Sequence, residues 1–235
     1  MNTKVTAIIL SAGNGKRMGM DIPKQYIKIE DKPIIYYTIK AFMDSNVDEI
    51  IIVCGKEYIE YCAKEIVQYF NFNKVKGIVT GGDERYNSVY NGLKAIEKSD
   101  YVLIHDGARP CITAQMINKM IMKVKEENAC IMAVPVKDTI KVVKDGIICD
   151  SPDRNTLWQA QTPQAFDYNK IKSAYTKVIN ERLYDKMSIT DDAQVWNICN
   201  DAHISVVEGD YENIKVTTKS DLEMVVKYVE LKKQK

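Results

Sequence analysis

Short apolar runs alternate with segments of helical period along most of this chain, and that alternation leaves few folds open. Val5–Leu10, Glu49–Val53, Lys76–Thr80, Tyr101–Ile104 and Cys130–Val134 have strand length, and their continuous apolar character suits strands covered on both faces. Between them lie helix-like segments: Ile34–Phe42 after Pro33, Tyr58–Phe70, Asn87–Ile96, and a helix capped by Thr113. In the last of these, Met116/Ile117, Met120/Ile121 and Val124 make a stripe that belongs to the core. Repeated βαβ units of this size predict an α/β fold, a Rossmann-like, mostly parallel sheet with helices on both faces. Such sheets bind ligands at the carboxyl ends of their strands. The segments Gly13/Gly15, Gly81/Gly82 and His105-Asp106-Gly107 each follow a strand, so they are expected to converge on one rim.

The pattern changes after Val136. Asp138–Val143 and Ile147–Asp150 read as two short strands, and Asp145-Gly146 between them is a hairpin signal. A lone two-stranded ribbon is marginal in water, so this β-arm, at about 137–152, is expected to pack against a second copy of the chain and form a homodimer. Mixed α/β structure resumes with Trp158–Phe166, Tyr168–Ile179, Asp192–Cys199 and Ile204–Glu208. A helix over Lys219–Leu231, capped by Ser220 or Thr218, closes the chain. Trp158 and Trp196 are expected in the core or against the ribbon. No repeat or low-complexity linker divides the sequence, and residues 1–235 are read as a single domain.

Charge narrows the function classes. Lys+Arg is 33 against Asp+Glu 32, so no bulk field recruits nucleic acid or a membrane surface. No apolar run approaches the ~20 residues of a spanning helix, and Val5–Leu10 is too short for a signal peptide and leads into Gly-Lys-Arg. The cytoplasm is the expected compartment. The cysteines Cys54, Cys62, Cys111, Cys130, Cys149 and Cys199 are scattered without a C-x-x-C pair, as reduced, buried side chains would be; no protein-held metal site is expected. Arg17, Arg85, Arg109 and Arg154 all fall in glycine- or proline-marked segments, where a planar donor suits phosphate.

The first loop, Ser11-Ala-Gly-Asn-Gly-Lys-Arg-Met18 running on to Pro23-Lys-Gln-Tyr26, carries the clearest chemistry. Gly13 and Gly15 let backbone N–H groups approach an anion, and Lys16, Arg17 and Lys24 supply charge to neutralise a polyphosphate. The third glycine of a dinucleotide fingerprint is missing, which argues against an NAD-binding protein, and the P-loop arrangement is absent. A nucleoside triphosphate fits best. For Asp191-Asp192, an N-cap for the helix Asp192–Cys199 is preferred over a metal pair.

These motifs resemble the sugar-phosphate nucleotidylyltransferases. The longer set is similar to one group among them, the 2-C-methyl-D-erythritol 4-phosphate cytidylyltransferase family. It comprises Pro23-Lys-Gln-Tyr26, Gly81-Gly-Asp-Glu-Arg85 with Ser88-Val89, His105-Asp-Gly-Ala-Arg-Pro110, Pro135-Val-Lys-Asp-Thr-Ile-Lys141, Asp153-Arg-x-x-Leu-Trp-x-Ala-Gln-Thr-Pro-Gln-x-Phe166, Thr190-Asp-Asp-Ala193 and Asn213-Ile-Lys-Val-Thr217. The resemblance implies transfer of CMP from CTP to methylerythritol phosphate, with release of pyrophosphate and with Mg²⁺ carried on the CTP phosphates. It implies Arg17 and Lys24 as transition-state stabilisers, and Ala12, Gly13, Gly15 and Lys16 as the phosphate cradle. Gly82, Asp83 and Ser88 would hold cytosine, with Asp106 and Gly107 near the ribose and metal. Arg154 and Lys215 would position the attacking phosphate, with Arg109, Thr139, Thr162 and Thr190 as further substrate contacts, Arg109 and Thr139 reaching a neighbouring subunit's pocket. His105 is read as structural, since an attacking phosphate needs no base. The alternatives are a ribitol 5-phosphate or related polyol-phosphate cytidylyltransferase, and a non-catalytic nucleotide-binding protein on the same scaffold. The motif around Arg154 and the retained cations argue against them.

Overall fold

The computed structural model describes residues 3–13, 22–200 and 202–233. In chain order its elements are β1 (Val5–Ser11), the two-residue strands β2 (Lys28–Ile29) and β3 (Lys32–Pro33), α1 (Ile34–Met43), β4 (Glu49–Cys54), α2 (Ile59–Tyr61), β5 (Val75–Thr80), α3 (Arg85–Ala95), β6 (Tyr101–Asp106) and α4 (Ala114–Glu127). There follow β7 (Ala129–Pro135), β8 (Val142–Lys144), β9 (Ile147–Asp150), β10 (Trp158–Asp167), α5 (Tyr168–Asn180), α6 (Asp192–Cys199), β11 (Ser205–Glu208) and α7 (Lys219–Lys233).

One seven-stranded sheet organises the chain, in the order β11-β7-β10-β6-β1-β4-β5. β1 is buried along its whole length because it pairs in parallel with β4 on one side and β6 on the other. β10 alone in this sheet runs against its neighbours, antiparallel to both β6 and β7. The expected mostly parallel α/β sheet is therefore present, with β10 as the reversed strand. Apolar side chains cover both faces. Ile9, Ile39, Phe42, Ile52 and Met120 belong to one buried cluster, and Ile8, Val53, Leu93, Tyr175 and Trp196 to the other.

Several expected elements differ in detail. The helix expected over Tyr58–Phe70 is a 3₁₀ turn at Lys56–Tyr58, the short α2, and a π-helix over Cys62–Gln68. The wider turn accompanies a cluster of aromatic rings, Tyr58 and Tyr61 lying 4.6 and 5.3 Å from Tyr26. β6 extends two residues past Ile104, so His105 and Asp106 end the strand instead of following it. α3 begins at Arg85, where a capping box between Glu84 and Asn87 starts the helix ahead of the expected Asn87. Trp196 is buried and stacks on Phe166 at 5.4 Å, whereas Trp158 is exposed at the start of β10. Of the two expected caps for α7, Thr218 takes the role, its hydroxyl accepting from the Asp221 N–H at 3.3 Å.

The arm is a hairpin of β8 and β9, shorter on its first strand than expected. Asp145 and Gly146 turn it with φ of 50° and 79°, as a two-residue turn between antiparallel strands requires. Every residue of both strands is exposed within the single chain. The arm leaves from the end of β7 and returns at the start of β10, where Pro135 faces Trp158. All six cysteines are free; Cys149, on the arm, is exposed and Cys199 half-buried, while the other four are buried. Among the described residues no helix is long and apolar enough to cross a membrane.

Candidate active site

A cavity of about 670 Å³ opens at the carboxyl ends of β1, β4, β5 and β6. Its walls come from segments far apart in sequence. Ala12 and Gly13 continue β1, and Lys24 and Gln25 follow the first loop. Gly81–Glu84 joins β5 to α3, which Arg85 begins, and Asp106 ends β6. Lys215 and Thr217 come from the segment after β11. Ser88 also lines the cavity, so Ala12, Gly13, Lys24, Gly82, Asp83, Ser88, Asp106 and Lys215 meet around one space. Gly15, Lys16 and Arg17 lie outside the described residues.

Two glycines bring the walls together. A Cβ at Gly81 would sit 2.3 Å from the Ala12 Cβ and 2.8 Å from Ser88 Oγ, so the first loop and the Gly81-Gly82 turn touch only because that atom is missing. A Cβ at Gly107 would stand 2.9 Å from the Leu10 carbonyl, whose oxygen accepts from the Gly107 N–H at 2.8 Å. The Ser88 hydroxyl accepts from the Gly82 N–H at 3.0 Å and so holds that turn closed. Gln25 donates to the Gly13 carbonyl at 3.2 Å, tying the end of β1 to the Pro23-Lys-Gln segment.

Asp106 is the electrostatic centre. Lys215 Nζ lies 2.8 Å and Arg109 Nε 3.9 Å from its Oδ2, and Arg85 Nε lies 3.6 Å from its Oδ1. Burial alone would push this carboxyl up, but the charges of Arg85, Lys215 and Arg109 outweigh it and hold the group well below the usual carboxylate range. It is an anion at any physiological pH. His105 beside it is buried, and burial lowers it to about 3, so it stands neutral. Thr162 Oγ1 accepts from the Asp106 N–H at 3.1 Å and lies 3.0 Å from His105 Nδ1. With the Thr162 hydroxyl donating to Nδ1, His105 Nε2 is left to donate to the Arg109 carbonyl at 3.4 Å. His105 and Thr162 thus splint the strand end that carries Asp106, and Thr162 is buried beneath the cavity instead of lining it.

Lys215 reaches Asp106 because its segment is pinned at both ends. Val216 donates its N–H to the Ala108 carbonyl at 2.9 Å. Arg109 Nη1 donates to the Asn213 carbonyl at 2.7 Å, and the buried Asn213 amide donates to Gln161 Oε1 and the Thr162 carbonyl at 3.1 and 3.0 Å. Arg109 therefore lies against Asp106 and Asn213 of its own chain. Arg154 and Thr139 do not line the cavity. Both are exposed beside the arm, with Arg154 Nη1 donating to the Lys137 carbonyl at 2.9 Å. Thr190 is also exposed, its N–H and hydroxyl donating to Gln194 Oε1 at 2.9 and 3.2 Å. Asp191 caps α6, its Oδ1 accepting from the Gln194 N–H at 3.0 Å.

Arg85, Gln25 and Asn213 line or brace the site, and of the three only Arg85 is marked out by the sequence. Arg85 carried a signal, as a glycine-marked arginine. Gln25 and Asn213 sit inside the Pro23–Tyr26 and Asn213–Thr217 motifs, but nothing in their type separates a brace from a bystander.

Known proteins resemble this chain in sequence and in fold. The sequence model of the 2-C-methyl-D-erythritol 4-phosphate cytidylyltransferase family matches residues 5–230. The chain belongs to this family. A cytidylyltransferase of that name from Lachnoclostridium phytofermentans is 49% identical over 220 residues, covering 93% of each chain. One from Lachnospira eligens is 48% identical over 221 residues, covering 93% of this chain and 96% of the other. Among solved structures, the 4-diphosphocytidyl-2C-methyl-D-erythritol synthase of Anaerococcus prevotii superposes with a TM-score of 0.83 at 31% identity, covering 97% of this chain and 99% of that one. The match to this cytidylyltransferase family thus takes in the sheet, the cavity and the arm together, from β1 into α7.

Proposed function

We propose that this protein transfers CMP from CTP to 2-C-methyl-D-erythritol 4-phosphate, giving 4-diphosphocytidyl-2-C-methyl-D-erythritol and pyrophosphate. The observation that carries the reading is the meeting, around Asp106, of a glycine-walled cavity from the first half of the chain with Lys215 from the far half. A phosphate oxygen of the acceptor attacks the α-phosphorus of CTP, a new P–O bond forms, and the bond from that phosphorus to the oxygen bridging it to the β-phosphate breaks. The nucleophile is already an anion, so no base is needed, in keeping with a buried, neutral His105. The work is to hold two mutually repelling anions in line and to offset the charge that builds up.

In this reading Ala12 and Gly13, with Gly15 and Lys16, cradle the triphosphate, and Arg17 and Lys24 stabilise the reacting phosphorus. Gly82, Asp83 and Ser88 face cytosine, and Asp106 with Gly107 lies at the ribose. Lys215 serves the attacking phosphate beside Asp106, which Arg109 and Thr162 brace. Arg154 and Thr139, exposed beside the arm, would reach that phosphate in a neighbouring subunit's cavity, with Thr190 as a further support. Among the described residues no group of three or more His, Cys, Asp or Glu side chains is placed to hold a metal. One buried carboxylate at the cavity fits an ion that arrives on phosphate oxygens, as Mg²⁺ does. Bound there, Mg²⁺ would neutralise phosphate charge, and Asp106 is the residue to face it. The free cysteines fit a reducing compartment, the cytoplasm.

Pyrophosphate release from CTP should be rapid with methylerythritol 4-phosphate and slow with ribitol 5-phosphate; turnover of the ribitol substrate alone would reverse the assignment. Gly81→Ala is expected to raise the KM for CTP about tenfold, because its Cβ must part the two walls. An unchanged KM would remove that contact from the nucleotide site. The single domain of residues 1–235 is read as one half of a homodimer joined through the arm, supported by the exposed Val143, Ile147 and Ile148. An Ile147→Asp/Ile148→Asp double variant is expected to sediment as a monomer; a dimer of undiminished stability would place the interface elsewhere.

A further inference from the structure

Arg85 stands between two carboxylates that belong to different parts of the chain. Its terminal nitrogens donate to Asp192 as a fork, Nη1 to Oδ1 at 2.9 Å and Nη2 to Oδ2 at 2.7 Å. Its Nε faces Asp106 Oδ1 at 3.6 Å. Asp192 is fixed from other directions as well. Tyr175 donates its hydroxyl to Oδ1. Gln164 Oε1 accepts from the Asp192 and Ala193 N–H groups at 3.0 and 2.9 Å, while the Gln164 amide donates to Asp191 at 3.0 Å. Asp192, Tyr175 and Gln164 are all buried, whereas Arg85 keeps 29% of its side chain exposed where it lines the cavity. A packed, hydrogen-bonded cluster therefore ends in a guanidinium edge that looks onto Asp106.

The two oxygens of Asp106 are treated differently. Oδ1 faces Arg85, and Oδ2 faces Lys215 and Arg109. We propose that Arg85, clamped by Asp192, is a positioning residue for the transfer reaction: it sets the rotation of the Asp106 carboxylate and, through it, the place of the Lys215 ammonium. The inference rests on the proposed function, which puts Asp106 and Lys215 at the reacting groups. The role needs an arginine. Two directed N–H groups grip one carboxylate and a third is kept for the other, whereas a lysine supplies charge without a fork.

A kinetic cycle tests it, with methylerythritol 4-phosphate and CTP as substrates. Arg85→Lys and Arg85→Gln are expected to lower kcat by about 10- to 100-fold, as small misplacements of a reacting group do, while the KM for CTP moves by less than about threefold. In an Asp106→Asn background, adding either change should alter kcat by less than about twofold, because the guanidinium acts through that carboxylate. A purely structural role would instead lower the melting temperature and multiply its kinetic cost onto that of Asp106→Asn. Should Arg85→Gln fail to fold, Arg85→Lys carries the same comparison. Full additivity, or a wild-type kcat in the folded Arg85→Lys enzyme beside an impaired Asp106→Asn, overturns the inference alone. A wild-type kcat in Asp106→Asn overturns the reading of the cavity, and the inference with it.

Discussion

Lys215→Ala is expected to lower turnover by at least ~10², the usual cost of losing one positioned donor at a developing charge. The fold should survive the change. The Lys215 side chain is 39% exposed and makes its ion pair at the cavity, so little packing is lost. Asp106 keeps Arg85 and Arg109 beside it and stays ionised. The segment itself remains pinned by Val216 to Ala108 and by Asn213 to Thr162. Steady-state pyrophosphate release, read beside a thermal melt, separates the two effects. A large loss of kcat with an unchanged melt is the expected pair of results. Undiminished turnover would remove Lys215 from the reaction.

Asp192→Ala is expected to cost about 3–5 kcal/mol of stability, because it breaks a buried ion pair by removing one partner. The Asp192 side chain has no exposure, and in its absence the Arg85 fork and the Tyr175 hydroxyl both lose their acceptor. Arg85 would retain the longer approach to Asp106, at 3.6 Å. Equilibrium urea unfolding measures the loss directly, as a lower midpoint at a similar slope. A loss below about 1 kcal/mol would mean that the pair behaves like a surface salt bridge.

Much of the fold is legible in the sequence for a physical reason. Strands buried on both faces must be apolar throughout, so β1, β4, β6 and β7 announce themselves by run length. The Asp145-Gly146 turn is equally plain, because few residues accept positive φ at two successive positions. Strand direction leaves no such mark. The β10 residues pair with β6 and β7 whichever way the backbone runs, and nothing in Trp158–Asp167 tells an antiparallel neighbour from a parallel one. The π-helical turn at Cys62–Gln68 is hidden likewise, since Cys62 and Ile66 satisfy an ordinary helical spacing.

The site divides in the same way. Glycines at strand ends are visible because the close approach of backbones excludes side chains, as at Gly81 and Gly107. The resemblance supplied Asp106 and Lys215, but not their contact, which joins residues from distant segments at 2.8 Å. Arg85 and Asp192 form the tightest case. They are separated by 107 residues, and each had an adequate local explanation, a loop arginine and a residue beside a helix cap. Only the folded sheet brings them together.

The reversal of β10 has a consequence for how assembly and ligand binding are wired. A parallel strand in its place would oblige the chain to run back along the sheet between β7 and β10 and enter from the opposite end of the strands. Because β10 runs the other way, departure and return lie side by side, with Pro135 facing Trp158 and the Val136 N–H donating to the Leu157 carbonyl at 3.0 Å. The excursion between them is thrown outward from the rim on which β6 ends at Asp106. Whatever grips that hairpin sits at the mouth of the molecule and not on its back. The hairpin and the cavity thus open on the same rim of the sheet, at the carboxyl ends of β7 and β6.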